Sequence, residues 1–105
     1  MANNVLLEMV DPRKCIITLH RDRFEGHILS RHPGIQINWI QKTIEDPSFI
    51  VEDAQNDLRE VYYKMGLFTD TKEWMRVVIE RNTVVTAFKA FGGKQGERMI
   101  WTPKK

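Results

Sequence analysis

The spacing of apolar side chains changes at Pro47, and this change limits the folds open to the chain. Upstream, Ile37, Ile40 and Ile44 recur at i, i+3 and i+7, the signature of one helix face, and Asp46 and Pro47 end the run. Downstream the period falls to two, so that residues 49–53, 58–65, 74–81 and 83–91 read as strands and 99–102 as a short closing one. Arg81 and Asn82 form the expected tight turn between the third and fourth of these. Residues 70–72 and 92–96 read as polar or glycine-rich loops.

Ahead of the first helical stripe, Asp22 and Glu25 have capping-box spacing, which predicts a further helix starting near Arg23. Pro33 and Gly34 stop it, because proline lacks the next ladder donor and disfavours helical backbone at His32. The β-rich run from Cys15 to Leu19 reads as a first strand or an extended lead-in. Two helices followed by consecutive strands predict an α+β fold, with N-terminal helices packed on one face of a four- to five-stranded, mostly antiparallel sheet. The expected organisation is a single domain over 1–105, with 1–14 as lead-in and 103–105 as tail.

Composition narrows the partners. Sixteen Lys and Arg against 14 Asp and Glu leave a net charge of +2, enough for a local contact with a polyanion but not for coating nucleic acid in bulk. The single cysteine, Cys15, has no partner for an internal disulfide or a cysteine zinc set, which suits a reducing cytoplasm. The apolar cluster near the N-terminus is too short for a signal peptide or a membrane span. A cytoplasmic chain without membrane contact is expected.

All three histidines and several arginines fall between His20 and Pro33. At about 100° per residue, Phe24, His27, Ile28 and Arg31 share one side of the helix, placing an imidazole and a guanidinium at the edge of the core. A neutral-range imidazole can move protons, although one helix histidine alone is more often a packing or capping residue. The histidine spacings of seven and five match no compact zinc pair, and the carboxylates are too scattered for a magnesium site. Phosphate loops, nucleophile elbows and serine triads are absent from the sequence. No cofactor or metal is implied.

Alternation in the strand around Tyr62 sets Glu60, Tyr62 and Lys64 on one face and Arg59, Val61 and Tyr63 on the other, so cations and aromatics occur together on both. In the late strand, Val84, Thr86, Phe88 and Ala90 share a face, and Lys89 adds a cation on the opposite one. Metal-free acid–base groups on a locally basic surface are the minimum equipment for RNA cleavage, in which the substrate's own 2'-hydroxyl is the nucleophile. A noncatalytic RNA- or protein-binding module and an enzyme for a small metabolite are the alternatives.

Gly26-His27-Ile28-Leu29-Ser30-Arg31-His32-Pro33, Thr43 to Ile50, Val61-Tyr62-Tyr63-Lys64, Arg76 to Ile79, Val85-Thr86-Ala87-Phe88 and Gly96 to Trp101 resemble, in that order, the phage-associated branch of the nuclease superfamily named for barnase, EndoU, colicin nucleases and RelE. The resemblance runs from His20 to Trp101. It implies a barnase/RelE-like fold and metal-independent ribonuclease activity, as a toxin or phage or prophage effector. It further implies His27 as acid or base, His32 as a second proton-transfer group or a cap, Lys64 and Arg59 as stabilisers of phosphate charge, and Thr86 as a phosphate-binding hydroxyl. Arg31, Tyr62, Tyr63 and Lys89 complete the expected substrate contacts. Phe88 stands where related sequences have tyrosine, so no phenol role is assigned there. RNA, and an antitoxin or immunity protein, are the partners this resemblance implies.

Overall fold

The computed structural model describes residues 4–103; Met1 to Asn3 of the expected lead-in and Lys104 and Lys105 of the expected tail lie outside them. Seven strands form one sheet: β1 (Val5–Val10), β2 (Ile16–His20), β3 (Phe49–Glu52), β4 (Arg59–Lys64), β5 (Trp74–Glu80), β6 (Thr83–Ala90) and β7 (Arg98–Trp101). Their order is β1-β2-β6-β5-β4-β3-β7, antiparallel throughout except for the parallel β2/β6 contact. This overturns the expected four- to five-stranded sheet with N-terminal helices: two strands precede the helices, and the sheet is larger and mixed.

The physical reason lies in the segment read as lead-in. Asp11 Oδ1 accepts the amides of Arg13 and Cys15, Lys14 N donates to Asp11 O, and Lys14 takes φ 71°. An Asp side chain of this kind closes a turn with its own backbone, so β1 folds back on β2 from Val10↔Ile16 to Val5↔His20. The hairpin joins the rest of the sheet through a single registered pair, Thr18↔Thr83, beside the Thr18 N to Asn82 O bond of 2.9 Å.

β3 to β6 form an antiparallel meander, and β7 returns to pair with β3. Arg81 and Asn82 turn β5 into β6 with φ 52° and 60°, the paired left-handed backbone that matches strand twist in a two-residue hairpin. Val85 is an extra residue in β6, since Val78 faces Thr86 while Ile79 faces Val84. This bulge corrects the simple alternation expected for the strand: Val84 stays in the core, whereas Thr86 and Phe88 turn to the other face.

The first helix follows β2 without a loop. It comprises an α turn (Arg21–Arg23), a π turn (Phe24–Ile28) and a further α turn (Leu29–Arg31). The expected capping box does not form. Asn4 instead accepts Arg21 N through its carbonyl at 2.7 Å and exchanges side-chain bonds with Asp22, while Glu25 pairs with Arg21. The second helix, Ile37–Glu45, buries Ile40 and Ile44 as its periodicity predicts. Phe24 and Ile28, those two isoleucines, and Met9, Ile17 and Leu19 of the hairpin cover one sheet face against Ile50, Tyr62, Met75, Val77 and Ala87. Among the described residues, no helix is long and apolar enough to cross a membrane.

Tyr62, expected to meet substrate, is 0% exposed beneath this layer. Its hydroxyl donates to Asp11 Oδ2 at 2.6 Å and accepts from Arg13 Nη2 at 2.8 Å, and Arg13 continues to Glu60 at 2.6 Å. Burial, and then the Asp11 bond, push the phenol upward in pKa, so it remains a neutral donor. The network fastens the hairpin tip to β4. Asp11→Ala should destabilise the fold by about 3 kcal/mol, because the buried hydroxyl and two amides lose their acceptor together. Tyr62→Phe should cost less, about 1–2 kcal/mol; urea denaturation of the two variants checks the size and the order.

Candidate functional site

The helices leave the other face of the sheet uncovered, and strand register arranges its side chains in rows. Phe49, Tyr63, Arg76 and Phe88 are cross-strand neighbours; Val51, Val61, Val78 and Thr86 form the next row, and Arg59, Glu80 and Thr83 the one after. Arg76 is the exceptional member, 4% exposed in the middle of an apolar strand. Its Nε donates to the Tyr63 hydroxyl at 3.0 Å, its Nη2 pairs with Glu97 at 3.2 Å, and its Cζ lies 5.3 Å from the Phe88 ring centroid and 5.9 Å from that of Tyr63. Nη1 makes no hydrogen bond to the described residues.

Glu97 comes from the loop after β6, which curls over the end of the sheet. Its carboxylate accepts from Tyr63 Oη at 2.8 and 2.9 Å and from Lys94 N at 2.9 Å, besides Arg76. Gly96 has φ 91°, and a Cβ there would stand 3.1 Å from that of Ala54, so the loop's return requires glycine. The Tyr63 phenol is pushed up to about 12, chiefly by burial, with the Glu97 bond adding to the rise and the Arg76 bond opposing it. Tyr63 therefore holds Arg76 and Glu97 in place, and its hydroxyl is already committed where the sequence suggested a substrate contact.

Beside this cluster opens a cavity of about 680 Å³, lined in part by Arg59, Arg76, Thr86, Phe88, Lys94 and Glu97. Arg59 Nε pairs with Glu80 at 2.8 Å, leaving the rest of its guanidinium free of protein hydrogen bonds among the described residues. The Thr86 hydroxyl likewise has no hydrogen-bond partner among them. Two guanidiniums, an ammonium and a hydroxyl share this polar space with the carboxylates of Asp53 and Glu97, and Glu97 fixes the direction of the buried guanidinium.

The histidines stand along the β6 side of this face. His27 lies in the π turn, where Leu29 N bonds Phe24 O rather than the carbonyl one residue later. It borders a groove of about 550 Å³ together with His20, Glu80 and Thr83. Glu80 of this groove pairs with Arg59 of the Thr86 cavity, and the two spaces share no lining residue. Desolvation, followed by the charges of Arg23, Arg31 and His32, holds the His27 imidazole below its ordinary pKa. His32, past the last turn, stacks on Phe88 with centroids 4.8 Å apart and 23° between planes.

Other expected site residues are elsewhere. Lys64 lies on the helix-covered side, where its Nζ donates to Asp46 O at 2.7 Å and Oδ2 at 2.9 Å. Tyr62 is buried there too, whereas Arg59 and Tyr63 reach the uncovered face; the alternation was visible in sequence, but which face the helices leave free was not. Lys89 contacts Trp39 and Phe68 at the edge of the helix-covered side, and Arg31 and His32 line an adjoining cleft with it. Arg76, Glu97, Glu80 and Lys94 were not anticipated. A charge amid Met75 and Val77-Val78-Ile79 was the available signal for Arg76, and the glycine-rich run before Glu97 for the loop. Among the described residues, no three His, Cys, Asp or Glu side chains assemble as a metal-binding group.

Because the folded state disfavours the imidazolium, His27 should be mostly neutral at pH 6.5, the ordinary histidine pKa, where an unperturbed imidazole is half charged. In an NMR titration its midpoint should fall below that value, and Arg23→Gln should move it upward by removing a nearby positive charge. Comparison of the chain with family models, curated proteins and solved structures finds no match.

Proposed function

We propose that the chain is a metal-independent ribonuclease that cleaves single-stranded RNA on the uncovered sheet face. The observation that carries this reading is the cavity joining Arg59, Arg76, Lys94 and the unpartnered Thr86 hydroxyl, with His32 stacked on its Phe88 wall and His27 in the neighbouring groove that Glu80 lines. The two motifs behind the nuclease resemblance also touch in space, through the stack of His32 on Phe88.

In the proposed mechanism a phosphodiester enters the cavity and its non-bridging oxygens accept from Arg76, Arg59 and Thr86. Arg76 is already desolvated and fixed by Tyr63 and Glu97, so it meets developing phosphorane charge with little rearrangement. Neutral His27 removes the 2'-hydroxyl proton; the oxygen attacks the adjacent phosphorus, and the 5'-oxygen leaves with a proton donated by His32. The products are a 2',3'-cyclic phosphate and a 5'-hydroxyl end. His27 suits the base role because its surroundings favour the neutral form. The cytoplasm is the proposed setting, and a nuclease acting there calls for an antitoxin or immunity partner that covers this face.

One observation favours the noncatalytic RNA-binding alternative: Lys64, expected to stabilise the phosphate, is bound to Asp46 on the opposite side of the sheet. Incubation of the full chain with single-stranded RNA in EDTA distinguishes the two. The nuclease reading expects fragments ending in cyclic phosphate, losses of about 10²-fold or more in His27→Ala and His32→Ala, and a smaller loss in Thr86→Val. Salt-sensitive binding without fragments would overturn it in favour of the binding module, and cleavage that EDTA abolishes would overturn its metal independence.

A further inference from the structure

Where β6 ends, Phe88 and Lys89 point to opposite faces, and a second cleft of about 420 Å³ opens at the sheet edge between them and the turn after the first helix. Phe88 is the wall it shares with the Thr86 cavity: its ring carries the Arg76 guanidinium in one contact and the His32 imidazole in the other. Within the cleft, Trp39 is half-buried and held edge-on to Phe68, with centroids 5.0 Å apart and planes at 86°. The exposed Lys89 places its Nζ 5.0 Å from the Trp39 centroid and 4.4 Å from that of Phe68. Arg31 adds a second exposed cation at the rim.

The geometry points to this cleft as a subsite for one unpaired nucleobase of the RNA, adjacent to the phosphate held in the main cavity. Its choice of ligand rests on the ribonuclease reading. Three features argue for a base attached to phosphate rather than for an apolar ligand. The cleft offers planar rings from two different elements, Trp39 on the second helix and His32 on the turn, so a flat heterocycle can stack without regard to sequence. Both cations sit on flexible stems at the rim, where an adjoining backbone phosphate would lie. Phe88 lines both the cleft and the main cavity and lies against Arg76, which suits neighbouring parts of a single nucleotide chain.

Lys89 has a specific part in this arrangement. In the free protein its ammonium rests against the two rings; an entering base takes that position on Trp39, and the four-carbon stem lets the ammonium move to the phosphate. A cation–π contact is thereby exchanged for a charge–phosphate contact, and the indole is never left as a bare apolar patch. This explains why an exposed lysine lies over half-buried aromatic rings at the end of a strand.

Binding of adenosine 5'-monophosphate, ribose 5-phosphate and inorganic phosphate to the full chain tests the inference, with the Trp39 indole N–H followed by NMR and assigned through Trp39→Phe. The nucleotide should shift the Trp39 signal saturably, and inorganic phosphate should leave it unmoved. Trp39→Leu should weaken nucleotide binding roughly ten- to hundred-fold without changing phosphate binding, Trp39→Phe should retain most of it, and Lys89→Ala, at an exposed position that folding tolerates, should weaken the nucleotide and ribose 5-phosphate together. Nucleotide binding that leaves the indole unmoved, or equal affinity in Trp39→Leu, would overturn the subsite. RNA cleavage with an unresponsive Trp39 would sink the subsite and spare the nuclease reading; a responsive Trp39 in a protein that never cuts RNA would do the reverse.

Discussion

A buried carboxylate ties the two parts of this sheet together. Asp11 closes the β1–β2 turn with one oxygen and holds the Tyr62 hydroxyl with the other, so the same side chain shapes the hairpin and docks it on β4. The hairpin has only one registered pair with the meander, Thr18↔Thr83, and side-chain packing must supply most of its attachment. The consequences reach the first helix, which begins where β2 ends and is fastened by Asn4 at the start of β1. The position of His27 along β6 therefore depends on a carboxylate on the covered side of the sheet.

On the uncovered side the corresponding organiser is the contact of Arg76 with Glu97 and Tyr63. A buried ion pair is a poor source of stability, because desolvation offsets its Coulombic gain. Its presence between two aromatic rings is better understood as positioning: each guanidinium edge is assigned either to the protein or to the cavity, and the loop carrying Lys94 is drawn over the same space by the same carboxylate. Arg59 is arranged similarly, with Glu80 taking one edge. Both arginines thus line the cavity with one part of the guanidinium held by a carboxylate.

Much of the meander was legible in the sequence, for physical reasons. The periodicity change at Pro47, the Arg81–Asn82 turn and the isoleucine stripe of the second helix are local signals, and local signals survive folding. The β1 strand escaped notice because its six residues alternate weakly and its turn depends on a side chain accepting from backbone amides two and four residues ahead. Long-range choices were less accessible. Alternation separated Lys64 from Arg59, but only the docking of helices and hairpin determines which set lies on the side of the cavity. The Val85 bulge likewise depends on the partner strand: without it Thr86 would share the buried side with Val84, and the cavity would lose its hydroxyl.

The π turn carries a consequence of another kind. Phe24 and Ile28, four residues apart, anchor the first helix in the core, and the wide backbone turn they bracket leaves both anchors buried. Gly26 lies within that wide turn, with no atom near the place a side chain would occupy. The two apolar anchors hold their places in the core, while His27, carried between them, borders the groove. A single turn of chain so built keeps its packing and its polar groups on separate residues, with the backbone widened where the two meet.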